Sequence, residues 1–187
     1  ARFGDDKTVI TPRISTKVFE FRKYTKKDTM ETAGNVLMCC KEYMKKFPHL
    51  KNCIVKVDDS GVGGGVTDRL KEVIKAERLP IKVIPVNNGE SATDEYYFNL
   101  GGQLWGHVKE LLEVNFSNNL QGKEDVQIEL PNDTEMIKQL SVRKYHMTSK
   151  GKIQLESKDE MKKRGLGSPD TADSLALCLY EPNTWIY

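Results

Sequence analysis

The 187 residues hold 29 Lys and Arg against 27 Asp and Glu, a formal charge of +2, with 38% hydrophobic and 30% charged side chains. That balance fits a globular chain with a real core, of a length that suits one domain, and gives no support for an overall cationic coat on nucleic acid while leaving room for a local basic groove. No apolar run approaches the ~18 residues of a membrane span, and the opening ARFGDDKTVI has neither an initiator Met nor the pattern of a signal peptide, so the chain reads as a piece of something longer.

In chain order, DKTVITPRI and KVFEFRKY are β-branched and aromatic runs joined by a short polar link, which predicts two adjacent antiparallel strands. A helix follows over DTMETAGNVLMCCKEYMKKFPHL. Asp28 and Glu31 form a capping box, Met30, Ala33, Leu37, Cys40, Met44 and Phe47 recur at helical spacing, and Pro48 ends it. NCIVKV is a strand of buried type. A second helix places Val66, Leu70, Ile74 and Ala76 on one side, PIKVIPV is another strand, and NNGESATDEYY is a polar loop. A third helix covers FNLGGQLWGHVKELLEV despite three weakening glycines, and its Trp105, spaced with Leu104, Val108 and Leu112, is expected in the core. NNLQGKEDVQIELPND reads as loop plus a short strand, DTEMIKQLSV as a short helix, and RKYHMTSKGKIQLE as a hairpin turning at Ser149-Lys150-Gly151. In SPDTADSLALCLY, Ser168 is the expected N-cap, Pro169 the first helical residue, and Leu175, Ala176 and Leu179 the packing stripe. This alternation predicts an α/β sheet with helices on its faces.

Cys39, Cys40, Cys53 and Cys178 show no CxxC spacing, and with three scattered histidines they make a poor zinc set; buried free thiols in a reducing compartment are expected. His49, His107 and His146 are isolated from one another, and none is offered as a general base.

The stretch VDDSGVGGGVTDRL raises the question of function. A phosphate loop needs G-x-x-x-x-G-K-[ST], and GVGGGVTD has no lysine and acidic flanks that repel a polyphosphate. A dinucleotide fingerprint fits only by accepting Val66 at its third glycine. The alternative is an acid at a strand end, since ligands of α/β sheets gather beyond the carboxyl ends of strands, where Asp58 is predicted to lie. Asp170 and Asp173, three residues apart, project from one face of the last helix. A well-capped helix accounts for Asp170 alone, because the dipole favours an anion there; Asp173 lies past the cap. Carboxylates brought ~4 Å apart repel by roughly 4 kcal/mol at an effective dielectric near 20, so such a cluster takes up protons or a cation. Hard oxygen ligands suit Mg²⁺ or Mn²⁺, and a pair of such ions can hydrolyse a phosphodiester.

Together VDDSGVGGGVTDRL, YFNLGGQLWGHVKELLE, IELPNDTEMIKQL and GKIQLESKDEMKKRGLGSPDTADSLALCL resemble, in order and over most of the chain, the nuclease domain of the large terminase subunit of tailed bacteriophages. The resemblance implies an RNase H-like mixed sheet flanked by helices, with an added β-hairpin near the C-terminus, and a single nuclease domain over residues 1–187. It implies a metal-dependent endonuclease that cuts concatemeric double-stranded DNA with two Mg²⁺ or Mn²⁺ ions. Partners would be the terminase small subunit and the portal protein, with no membrane, in the host-cell cytoplasm; the isolated domain would be monomeric. The family's second acid falls on Asp58, with Asp59 in a supporting role, and its terminal acid on Asp170 or Asp173. The family's first acid sits on an opening strand just ahead of a segment like ARFGDDKTVI, so that strand and its aspartate are expected upstream of Ala1. Asp5 and Asp6 read as turn residues. No Walker motif is present, so the ATPase motor is not in this sequence.

Lys158, Lys162, Lys163 and Arg164 precede the last helix; Lys158 and Lys162 share a face that suits DNA phosphates or is simply solvated. Lys150 and Lys152 stand at the hairpin tip. The rival readings are another RNase H-like nuclease, of junction-resolvase or integrase type, and a nonenzymatic DNA-docking or motor-regulating fragment.

Overall fold

The computed structural model describes residues 7–61 and 63–182. Asp5 and Asp6 lie outside them. The first 18 described residues fold back on themselves: β1 (Thr8–Ile10) pairs antiparallel with β4 (Arg22–Tyr24), and between them β2 (Arg13–Ile14) pairs with β3 (Lys17–Val18). The two strands read from sequence are thus one interrupted hairpin, with Ser15 turning it at φ 53°.

Helix α1 (Thr29–Lys46) starts at the capping box, where Asp28 accepts from Glu31 N–H and the Glu31 side chain accepts from Asp28 N–H. Ala33, Leu37 and Cys40 are buried as expected, whereas Met30 is 53% exposed. Strand β5 (Cys53–Asp58), helix α2 (Gly63–Glu77) and strand β6 (Ile81–Val86) form a parallel β-α-β unit, with Cys53 opposite Ile81 and Asp58 opposite Val86. Val66 and Leu70 are buried on α2; Ala76, expected on the same stripe, is exposed.

Two apolar clusters lie on opposite faces of β5 and β6. Ala33, Leu37, Cys40, Val66, Leu70 and Ile81 gather α1 and α2 on one face, with Cys53, Val55, Val57 and Val83 packed against them. Val86, Leu100, Leu104, Val108, Met136, Leu175, Ala176 and Leu179 build the other cluster, with Ile84 against it. That cluster joins α3 (Leu100–Leu120), α4 (Thr134–Val142) and α6 (Asp170–Leu179). Side chains alternate along a strand, so Cys53, Val55 and Val57 face α1 and α2 while Lys56 and Asp58 face α6. Lys56 confirms the parity, donating to the Cys178 carbonyl of α6 at 2.8 Å.

Between α4 and α6 lie the hairpin of β7 (Tyr145–Met147) and β8 (Ile153–Leu155), turned by Gly151 at φ 73°, and the short helix α5 (Lys158–Lys163). The short strand expected within NNLQGKEDVQIELPND is only a bridge from Glu129 to Lys17. Paired strands therefore come as four two-stranded sheets among the described residues, with β1 and β5 both packed on α6. No helix in these residues is long and apolar enough to cross a membrane.

Candidate metal centre

Asp58 is the last residue of β5 and is exposed. The ladder runs one residue further, Asp59 N–H donating to Val86 O at 2.9 Å, and the chain then turns away. Ser60 N–H donates to Asp58 Oδ1 at 3.1 Å, and Gly61 takes φ 64°, a left-handed conformation that glycine adopts at little cost. The three glycines that follow are not a loop: they are the first turn of α2. A Cβ at Gly63 would sit 1.7 Å from the Asp58 carbonyl oxygen, so the helix can start directly over the strand end only with glycine there. Asp59 serves that same junction, its carboxylate accepting from the buried Thr67 hydroxyl at 2.6 Å. Of the two adjacent aspartates, one is thus committed to α2 and the other opens to solvent on the α6 side of the sheet.

On α6 the carboxylates are held from several elements. Asp170 is the first helical residue, with Pro169 as N-cap, and Ser168 does not cap the backbone as expected. Instead the Ser168 hydroxyl bonds Asp170 Oδ1 at 2.5 Å, and Lys7 N–H at the entry to β1 donates to Oδ2 at 2.6 Å. Asp173 Oδ1 accepts from Trp105 Nε1 on α3 at 2.9 Å and from an Arg143 guanidinium nitrogen at 2.8 Å. Arg143 lies over the Trp105 ring, 4.6 Å from its centroid, and its Nε donates to the Glu156 carbonyl. Lys158 joins the two acids, its Nζ 3.4 Å from Asp170 Oδ1 and 3.2 Å from Asp173 Oδ2. Lys158 opens α5 behind a capping box made by Ser157 and Glu160, so its backbone position is well defined.

The structure therefore brings Asp170 and Asp173 onto one ammonium and sets Asp58 on the strand that faces their helix. Among the described residues no three His, Cys, Asp or Glu side chains stand close enough to hold a metal together. The donor set is hard oxygen and suits a hydrated Mg²⁺ or Mn²⁺, which binds through one or two carboxylates and keeps waters. The two acids of α6 are unequal for that task. Asp173 has a guanidinium at 2.8 Å on one oxygen and Lys158 on the other, whereas the partners of Asp170 include a backbone amide and a hydroxyl.

Trp105 packs half-buried against the core, as expected, and its outer edge donates its N–H to Asp173. Arg143 and Lys7 are missing from the sequence reading, because no local spacing marks a residue that meets the site only through tertiary packing. Arg164 pairs with the buried Glu156 at 2.5 Å and holds that carboxyl below its ordinary value, while Lys150, Lys162 and Lys163 are exposed.

No family model and no curated protein matches the chain. Among solved structures, a mutant nuclease domain of the large terminase subunit gp2 of bacterial virus Sf6, with manganese and β-thujaplicinol, superposes with a TM-score of 0.81 at 20% identity, covering 97% of this chain and 85% of that one. The unmodified Sf6 nuclease domain gives 0.79 at 20% identity over the same shares, 97% and 85%. The large terminase nuclease of thermophilic phage G20c gives 0.52 at 16% identity, covering 96% of this chain and 86% of that one. The chain has the RNase H-like α/β fold of the terminase nuclease domains.

Proposed function

We propose that the chain is the metal-dependent endonuclease domain of a viral DNA-packaging terminase, hydrolysing phosphodiester bonds of concatemeric double-stranded DNA, with Asp58 and Asp170 as metal ligands. The observation that carries the reading is the strand parity of β5: Asp58, exposed at the strand end, faces the helix whose first residue is Asp170. The fold it shares with the Sf6 domain, solved with manganese, supports the metal.

Divalent cations, two in this reading, supply Lewis-acid chemistry for the attacking water and the leaving oxygen. Asp58 and Asp170 bind; the Gly63 junction fixes the Asp58 backbone, and Lys7 N–H and Ser168 fix the Asp170 carboxylate. Asp173 positions rather than binds, anchored by Trp105 and Arg143 and holding Lys158 beside Asp170. There the ammonium neutralises the acids and offers a cation to the scissile phosphate. β1 and β5 both pack on α6 and each pairs on one edge only among the described residues, so a further strand bearing a third carboxylate would find an edge to pair with there. Exposed Lys150, Lys162 and Lys163 would contact DNA phosphates. The terminase small subunit and the portal protein are the proposed protein partners.

Supercoiled-plasmid cleavage in Mn²⁺ tests the reading, using this chain and one extended before Ala1. The extended chain cuts, and both Asp58→Asn and Asp170→Asn in it abolish cutting. An Asp58→Asn variant that cuts like the parent rules the assignment out.

A further inference from the structure

We propose that Cys40 and Cys53 form a dithiol modification site, which a small-molecule disulfide converts to an internal disulfide joining α1 to the first residue of β5. Their sulfurs lie 3.3 Å apart, Cys40 within helix α1 and Cys53 at the start of strand β5. A disulfide bond is about 2.05 Å long, so the sulfurs need to close by only about 1.2 Å. Cys53 is half-buried at the strand end and Cys40 is buried behind it, which makes Cys53 the sulfur an oxidant meets first. The contact between the two sulfurs holds the Cys53 thiol below its ordinary value, and the same contact together with burial holds the Cys40 thiol above its own.

The exchange balances in two steps. The Cys53 thiolate attacks one sulfur of the oxidant, the oxidant's S–S bond breaks, and one thiol leaves carrying the proton lost by Cys53. The Cys40 sulfur then attacks Cys53, the mixed disulfide breaks, and a second thiol leaves with the Cys40 proton. Two protein thiols lose two electrons in all, and the small disulfide is reduced to two thiols. Cys178 cannot take the place of Cys40. It lies on α6 beside Lys56, and side-chain alternation puts it on the opposite face of β5 from Cys53. Cys39 is the neighbour of Cys40, but adjacent helical residues point about 100° apart, so the sulfur set beside Cys53 is that of Cys40.

The test uses the folded protein with glutathione disulfide, followed by acid quench, alkylation and peptide mapping. The expected product has lost two hydrogens, keeps two of its four thiols, and carries one crosslink, Cys40 to Cys53, which dithiothreitol reverses. Its thermal midpoint lies above that of the reduced protein. Cys40→Ser stops at a stable glutathione adduct on Cys53. An unreactive wild type, a wild type that ends as an adduct, or a crosslink through Cys39 or Cys178 overturns the proposal; the wild-type map decides by itself if Cys40→Ser does not fold.

Discussion

The two halves of the candidate centre are built on opposite plans. Around α6, Asp170 and Asp173 are gripped by groups from the entry to β1, the turn before α6, α3, the C-terminal cap of α4 and α5. At the end of β5, Asp58 is exposed and accepts from the amide two residues ahead. On the first side charge is already balanced by Arg143 and Lys158; on the second the carboxylate lies exposed to solvent. In the proposed reading the held side would supply preorganisation and the exposed side the approach for a hydrated cation.

Substitutions that break this contrast rank by how much of the fold rests on each side. Arg143→Ala should be the most costly, about 3 kcal/mol, because it leaves Asp173 in a largely buried position without its guanidinium and strips the cation from the Trp105 face. Urea unfolding measures it, and a loss under 1 kcal/mol would show the α6 side to be less dependent on this pair than its geometry implies. Gly63→Ala comes next, at about 2 kcal/mol, since a Cβ 1.7 Å from the Asp58 carbonyl must displace either the strand end or α2. Thermal midpoints and amide shifts at Asp58 report it, and an unshifted Asp58 would mean that the junction adjusts elsewhere.

Asp59→Ala should cost about 1 kcal/mol, the usual penalty for leaving a buried hydroxyl such as Thr67 without its acceptor. A similar loss, about 1 kcal/mol at neutral pH, is expected for Lys23→Met, which bonds Asp133 and Glu135 at 2.6 and 3.0 Å near the start of α4. Burial works against the charge of Lys23, but hydrogen bonds to the two acids outweigh it and raise its pKa. Glu135 is held below its ordinary 4.5 by the Lys7 and Lys23 ammonium groups. Burial raises Asp133, but Lys23 and the Met136 amide bring it below its ordinary 3.8. Carboxylates with depressed values stabilise the fold above their unfolded pKa values and lose that stabilisation as pH falls through the folded ones. The gap between wild type and Lys23→Met should therefore hold through neutral pH and close as pH drops below 3.8. A gap unchanged in acid would place the contribution of Lys23 in packing.

Asp58→Asn should have the smallest structural effect, within about 0.5 kcal/mol, as for exposed positions generally. Manganese affinity, read by calorimetry, should nonetheless fall at least tenfold in a chain that carries the third acid. A stability loss like that of Arg143→Ala would erase the contrast between the two sides.

Local physics was enough to read much of the chain. The Asp28–Glu31 capping box, the βαβ alternation, the hairpin turn at Gly151 and the strand that ends in Asp58 all follow from interactions between residues a few positions apart, which sequence spacing records directly. The glycine run was legible as a sharp reversal, but its place inside α2 was not. Gly63 is there because a backbone carbonyl comes over it, and a contact between helix and strand leaves no mark in periodicity. Ser168 likewise had the right chemistry for a cap and spends its hydroxyl on Asp170 instead.

By itself, then, the sequence determined the α/β class, the order of elements and the two places where carboxylates stand ready, because patterning and capping are short-range. Only tertiary structure decided that Asp58 faces α6, that Asp59 is absorbed by Thr67, and that Trp105 and Arg143 hold Asp173. Those facts join residues up to 122 positions apart, as in the Lys56 bond to Cys178 that fixes the parity of β5, and such pairings arise from the way sheet and helices bury their apolar faces.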